Sequence, residues 1–439
     1  MGTYLQKTNS SPSSQRQFTV STWVKVCREG NDRYMWSMRV DDNNWIGFRF
    51  ATNGCVILQI YDSGSTTGQL QSNAFFRDFG SWYHFVVRVN TNDGTADDRL
   101  RIYVNGTQLT SFSIRTNLPS GYDIPITSNF QVATSPYSSQ YNSNSLDGYL
   151  TDFNYCDNYS YAPTSFGETD STTGEWKPIV DFTGVSYGNN GFRLKFENAA
   201  ALGTDTSGNS NTLTVNNAGT NAKTKDTADN NFATMNPNIG TQGQTPAYSK
   251  GNTIVTSTSN GSYGASALST FAIDSGKWYW ETKLTGDRNN GIAIGLADAT
   301  WDVGSATDSW FGGSNLNGYA FQFSNSGQKK NDNGTGTSYG TQIAVNDVIG
   351  TAYDADNNTI TWYINGSSQG QAFSSMRDIT FVPASYGYYN TQWEFNFGNP
   401  PFSLSNTPES DANGYGNFEY AVPSGYYALC TKNLAAYGG

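Results

Sequence analysis

The 439-residue chain holds one histidine, four cysteines and no cluster of basic residues, and charged side chains make up only 14% of it. Each shortage removes a class of function. A net charge of −11 without a Lys/Arg-rich stretch offers nothing to neutralise phosphates, so neither nucleic acid nor an anionic membrane surface is an expected partner. No apolar run approaches the roughly 20 residues of a spanning helix, and the N-terminal MGTYLQKTNSSPSSQ lacks the basic-then-apolar order of a secretory signal. A soluble protein made in a cytoplasm is expected. Cys27, Cys55, Cys156 and Cys430 are too few and too scattered for a disulfide framework or a zinc site with CxxC spacing. Cys27 and Cys55 can pair only if neighbouring strands bring them together, and buried free thiols are the simpler expectation.

Aromatics, by contrast, reach 15%, and there are 46 glycines among abundant Tyr, Thr, Ser and Asn. That mixture suits many short strands joined by tight turns. The most informative stretch is Asn346 to Phe373, NDVIGTAYDADNNTITWYINGSSQGQAF. Val348, Gly350, Ala352 and Asp354 point one way and Ile349, Thr351 and Tyr353 the other, the period of two of a strand. Asp354 to Asn358 forms a turn, Thr359 to Asn365 returns in the same alternation, and Asn365-Gly366 supplies the positive φ of a tight hairpin. The first half shows the same pattern at Phe18 to Val26, Trp82 to Val89, Leu100 to Val104 before Asn105-Gly106, Leu146 to Tyr155, and Phe192 to Phe196. The expected fold class is all-β, with two antiparallel, jelly-roll-like β-sandwiches. Asn216 to Asn231 carries no apolar periodicity and reads as the linker, giving domains 1–224 and 225–439.

The 346–373 hairpin resembles the core of a SPRY domain. GKWYWETKL (Gly276 to Leu284), GIAIGLADA (Gly291 to Ala299), GYAFQFSNSGQKKNDNG (Gly318 to Gly334) and FVPASYGYYNTQWEFNFG (Phe381 to Gly398) follow that family's pattern in order. Asn346 stands where Gly is common and Trp362 where Phe is common. From Tyr4 to Val215, F-T-x-S-x-W-V-K, W-Y-H-x-x-V, R-x-x-Y-V-N-G and L-D-G-Y-L-x-D-F resemble concanavalin A-like, laminin-G-type jelly rolls. FGETDSTTGEWKP (Phe166 to Pro178), ALGTDTSGNSNTLTVNN (Ala201 to Asn217) and GYYALCTKNL (Gly425 to Leu434) look like extensions found in tailed-phage proteins, many of them marine.

No catalytic set emerges from the pattern. His84 lies inside a strand and is expected to be structural. Gly336-Thr337-Ser338-Tyr339-Gly340 spells GxSxG, but a Gly/Asn-rich loop precedes it and no helix pattern follows, as a nucleophile elbow would need. Glu168-Thr169-Asp170 begins like the E-x-D-x-x-E strand of jelly-roll glucanases, yet Thr173 takes the last position and Glu175 falls two residues late, so Phe166 to Pro178 reads as loop. The Asp354 turn lacks the Gly and closing Glu of an EF-hand, at Thr359 and Asn365. Asp41 to Asn44, Asp93 with Asp97 and Asp98, and Asp205 with Asn209 read as solvated turns, so no metal and no cofactor are expected.

Carbohydrate recognition pairs an aromatic ring with amide and carboxylate groups on loops of a rigid frame. The candidate ligand-binding residues are Trp301, Asp302, Trp310, Phe311, Tyr386, Tyr388, Tyr389 and Asn390 in the second half. Trp45 (with Asp41 to Asn44) and Tyr137 to Asn142 are the candidates in the first. Trp278, Trp280, Trp362 and Trp393, within alternating strands, are expected in the core. The resemblance implies a non-enzymatic virion protein on the exposed surface of a phage particle, tail-fibre-like or capsid-decorating, with host glycan and other virion proteins as partners. A homo-oligomer is implied, a trimer by analogy with such appendages. A virion polysaccharide depolymerase and a purely structural decoration protein are the alternatives.

Overall fold

A computed structural model describes residues 2–438 except 142, 180–181, 220, 240–244, 259–263, 289–290, 302–309, 313–317, 324–325 and 332–335. The chain divides into two compact units, Met1–Lys223 with Thr227–Asp229, and Thr224–Asp226 with Asn230–Gly439. The changeover lies within the segment read as linker.

In the first unit an eight-stranded sheet runs in the order Phe112–Thr116, Ser65–Phe75, Cys55–Asp62, Asn44–Phe50, Arg33–Asp41, Asn129–Val132, Tyr4–Thr8, Thr214–Asn216. A six-stranded sheet faces it, in the order Phe192–Leu194, Gly148–Asp157, Gln17–Val26, Tyr83–Asn90, Leu100–Val104, Thr107–Gln108. One face of each supplies the core: Met35, Trp36, Phe48 and Leu58 from the first meet Phe18, Val20, Phe85 and Phe153 from the second. Removing such side chains from water stabilises the fold by roughly 1.5–3 kcal/mol each.

The second unit repeats the plan. Its larger sheet orders Ala247–Ser249, Ile254–Thr256, Gln392–Asn396, Lys277–Leu284, Val348–Asp354, Thr359–Ile364, Ser367–Phe373, with Tyr427–Ala428 paired in parallel to Lys277–Leu284. The smaller orders Ala265–Leu268, Phe381–Gly387, Ile292–Asp298, Gly318–Phe323, Gly327–Asn331, Thr337–Ser338. Trp278, Trp280, Trp362 and Trp393, at 0–1% exposure, pack between the sheets against Ile294, Phe321 and Phe381, as their strand phase predicts. Both Asn-Gly hairpins form as read: Asn105 and Gly106 have φ of 47° and 79°, and Asn365 and Gly366 have 47° and 78°.

Alternation set the phase of the strands but not their exposure. Thr19, Ser21, Trp23 and Lys25 point away from the first core, yet all are buried. Residues following Asp157 fold over that outer face and build a second apolar layer of Val86, Cys156, Phe166 and Tyr187. In the second unit the C-terminal stretch does the same over the larger sheet, placing Phe418, Ala428 and Cys430 against Tyr279 and Ala352. Among the described residues the one α-helix, Thr431–Tyr437, ends this wrap, and no helix is long and apolar enough to cross a membrane. The four cysteines are buried and free, so Cys27 and Cys55 do not pair.

Candidate functional site

The smaller sheet of the second unit presents small residues on its outer face, among them Ala293, Ala297, Ala320 and Ala384. Such a floor lets another segment lie close, and Phe311 fills it. A Cβ on the neighbouring Gly312 would fall 2.6 Å from the Trp310 ring and 2.9 Å from the Ala320 Cβ, so only glycine allows this approach. Trp310 then packs on Tyr386 at 4.9 Å between ring centroids and Tyr386 on Tyr388 at 5.0 Å, the two tyrosine hydroxyls 2.8 Å apart. Trp301 joins the edge of the same cluster. Beyond it the chain turns at Tyr388 to Thr391. The Thr391 N–H donates to the Tyr388 carbonyl, its hydroxyl donates to the Asp287 carbonyl, and Tyr389 takes φ +48° at 49% exposure. The turn is thus fastened while Tyr389 and Asn390 stay exposed.

Folding therefore gathers Trp301, Trp310, Phe311, Tyr386 and Tyr388 into one cluster, from segments about 80 residues apart in sequence. Their roles separate. Trp301, Trp310 and Tyr388 are half-buried and Tyr389 and Asn390 exposed, whereas Phe311 and Tyr386 are 0% and 2% exposed and cannot offer a ring face to a ligand. For these two the expected contact role gives way to a supporting one, because the alanine floor draws them inward. Asp302 lies outside the described residues.

In the first unit Trp45 needs the same correction. It is 3% exposed, although it points to the outer face of the eight-stranded sheet. The segment after Val132 crosses that face: Ser37 Oγ donates to the Thr134 carbonyl, the Tyr34 N–H to the Asn144 carbonyl and Gln131 Nε2 to the Tyr141 hydroxyl. Trp45 Nε1 donates to the Tyr137 hydroxyl at 3.0 Å and its ring stacks on Tyr61 at 5.3 Å. The two candidate stretches do meet, but they seal one another. Asn142 is not among the described residues.

The acidic turns are internally satisfied. Asp41 accepts from the Asn43 N–H and Asn44 Nδ2, Asp97 faces Arg115, and Asp98 pairs with Arg101 at 2.7 Å. Both carboxylate oxygens of Asp205 are taken by N–H groups of Arg193, Ser207 and Asn211, while Asn209 Nδ2 donates to the Gly188 and Gly191 carbonyls. Among the described residues no group of three His, Cys, Asp or Glu is placed to hold a metal.

His84 shows what sequence reasoning missed. Its Nε2 lies 2.9 Å from Ser21 Oγ, the spacing of a nucleophile and its base. Trp176 decides otherwise: its Nε1–H donates to His84 Nδ1 at 2.9 Å, so Nδ1 carries a lone pair and the ring proton sits on Nε2, directed at Ser21. An imidazole in that tautomer cannot take the serine proton. Burial at 0% exposure, with Trp23 stacked at 4.7 Å, pushes its pKa down to about 3 and keeps it neutral. Trp176 arrives on a hairpin, Gly167–Thr169 with Trp176–Pro178, where the sequence pattern read loop. Within that hairpin Glu168 and Asp170 flank Lys177 at 3.6 and 2.9 Å. Ser338 of the GxSxG run lies in the short edge strand Thr337–Ser338, with no helix after it.

Glu281 is the counterpart in the second unit. At 0% exposure it accepts from the Glu419 and Tyr420 N–H groups and Asn396 Nδ2, each at 2.9 Å, and from the Tyr279 hydroxyl at 3.3 Å. Desolvation outweighs these donors and raises its pKa to about 7. It pins the C-terminal wrap.

These features define a nearly all-β protein with two sandwiches. Residues 2–158 match the family model of the concanavalin A-like lectin/glucanases superfamily and residues 277–400 that of the SPRY domain, so the chain contains one domain of each kind. Among solved structures it is similar to the SPRY domain of human HERC1, at 16% identity and TM-score 0.31 over 37% of this chain and 96% of that one. A second human SPRY domain is similar at 15% identity and TM-score 0.27 over 33% and 90%. The native heptameric SAP-like pentraxin from Limulus polyphemus is similar at 16% identity and TM-score 0.30 over 42% and 89%. No curated protein matches this chain in sequence at a significant level.

Proposed function

We propose that this chain is a non-enzymatic binding protein on the exposed surface of a tailed-phage particle, tail-fibre-like or capsid-decorating. It holds host glycan or a neighbouring virion protein through loops of its sandwiches. The lectin-like and SPRY domains support a binding or adhesion role. The phage assignment draws on the 166–178, 201–217 and 425–434 motifs. A homo-oligomer, a trimer by analogy, fits such an appendage.

One observation carries the reading: the half-buried Trp301, Trp310 and Tyr388 beside exposed Tyr389 and Asn390, on a turn that is hydrogen-bonded in place. Aromatic faces next to an amide suit a sugar, which offers apolar C–H faces and dense hydroxyls. The sealed His84–Ser21 pair removes the serine–histidine constellation that the single histidine forms and favours binding over cleavage. Gold-antibody labelling of intact particles tests the assignment. Label on fibres or capsid protrusions is the expected result, and particles that exclude the antiserum overturn it.

A further inference from the structure

We propose that Lys7 and Asn190 condense into an intramolecular amide cross-link that fastens the strand Tyr4–Thr8 to the loop before Phe192 within the first unit. The inference stands apart from the ligand-binding reading and rests on a different cluster.

Lys7 Nζ lies 3.4 Å from Asn190 Oδ1. Asn190 is 0% exposed, and the same Oδ1 accepts the Ser10 N–H at 3.0 Å and the Ser10 hydroxyl at 2.9 Å. Two further donors converging on a side-chain carbonyl oxygen polarise it and stabilise the negative charge that grows there when Cγ is attacked. The orientation of the amide is fixed, because Asn190 Nδ2 donates to the Ser10 carbonyl at 3.0 Å. Asn9 Oδ1 is also 3.4 Å from Lys7 Nζ, but no such donors surround it, and its Nδ2 is buried without a partner. The geometry therefore singles out Asn190.

Asp157, itself 0% exposed, holds the cluster: its Oδ2 accepts the Asn190 N–H at 3.1 Å and the Ser13 N–H at 2.9 Å. Desolvation lowers the pKa of Lys7 and enlarges its neutral fraction, with the Asp157 charge opposing. The neutral amine attacks Asn190 Cγ, a new Nζ–Cγ bond forms and the Cγ–Nδ2 bond breaks. Nδ2 leaves as ammonia, carrying the proton that Nζ releases. The step changes no oxidation state and consumes no co-reactant. The neighbouring Asn9, Ser10 and Ser13 line a surface depression of about 670 Å³. The bond would join residues 183 positions apart, the kind of long closed loop that most restricts an unfolded chain.

Intact-mass spectrometry of the purified full chain, held folded for days at mildly alkaline pH, tests this. The expected mass is one ammonia below that of the sequence, and a protease digest should yield a branched peptide joining the Lys7 and Asn190 segments. Lys7→Arg should restore the full mass and lower the melting temperature of the first unit. The full sequence mass in the unaltered chain overturns the proposal. So does an ammonia loss that persists undiminished in Lys7→Arg, since that would be cyclisation at one of the chain's Asn-Gly steps, Asn190-Gly191 among them.

Discussion

Both units cover the outer face of one sheet with a polypeptide extension, and both bury a polar hub beneath it. The hubs differ in kind. In the first unit the hub is neutral: His84 is held between Ser21 and Trp176, with Trp23 stacked on it. In the second it is a carboxylate, Glu281, ringed by N–H and O–H donors from the wrap it secures. A neutral hub needs a fixed tautomer, and an indole N–H supplies it. A buried carboxyl needs several donors to offset part of its desolvation, and backbone N–H groups of Glu419 and Tyr420 bring them. The same architectural task thus gives opposite responses to pH.

The largest expected effect comes from His84. Its folded pKa lies near 3 against an ordinary 6.5, so the unfolded chain binds the proton more tightly. Its contribution is fully present above about pH 6.5 and is lost as pH falls toward 3, by of order 5 kcal/mol. Amide protection factors, which correct for the intrinsic pH dependence of exchange, should therefore fall steeply on acidification in peptides spanning Ser21 and His84. Constant protection down to pH 4 would mean that the ring is not buried as a neutral group.

Trp176→Ala should destabilise the first unit by about 4 kcal/mol, through lost ring burial and an unpaired Nδ1. Trp176→Phe, which keeps most of the ring but not the donor, should cost about 1–2 kcal/mol. Urea unfolding followed in the first unit distinguishes the two losses, and equal effects would remove the tautomer argument.

Glu281 sharpens the contrast from the other side. Its folded pKa of about 7 lies above the ordinary 4.5, so the folded state binds the proton more tightly. Its contribution is present below about pH 4.5 and falls as pH rises through 7, by of order 3 kcal/mol. Between pH 4.5 and 6.5 the two hubs then pull in opposite directions. Protection around Glu281 and Tyr420 should rise on mild acidification while that around His84 falls. Glu281→Gln should remove this trend in the second unit only.

The smallest effect separates binding from support. Trp310→Ala should weaken retention on host glycan about tenfold, near 1.4 kcal/mol, with the second unit still folded. Trp45→Ala should lower the stability of the first unit and leave retention unchanged. Retention lost in Trp45→Ala alone would move the binding site to the other unit.

Much of the fold was legible in the residues. The RIYVNG and TWYING runs each announce a strand and a hairpin, and in both the asparagine side chain accepts an N–H from the neighbouring strand, His84 in one and Val348 in the other. Part of the site was legible too, because Trp301, Trp310, Tyr388, Tyr389 and Asn390 sit outside alternating strands. Phe311, Tyr386 and Trp45 carry no local mark that a floor or a crossing loop will bury them. Trp176 gave no signal either: its role depends on a hairpin landing on His84, 92 residues away.

The sequence by itself determined the strand periods, the tight turns, the class of each sandwich and the scarcity of catalytic side chains. These are properties of neighbouring residues, written in a period of two and in positive-φ pairs. Tertiary structure alone decided which outer faces are closed, which aromatic rings remain open, the tautomer of His84 and the approach of Lys7 to Asn190. Each of these depends on groups far apart in the chain meeting at contact distance, and local pattern does not encode long-range contact.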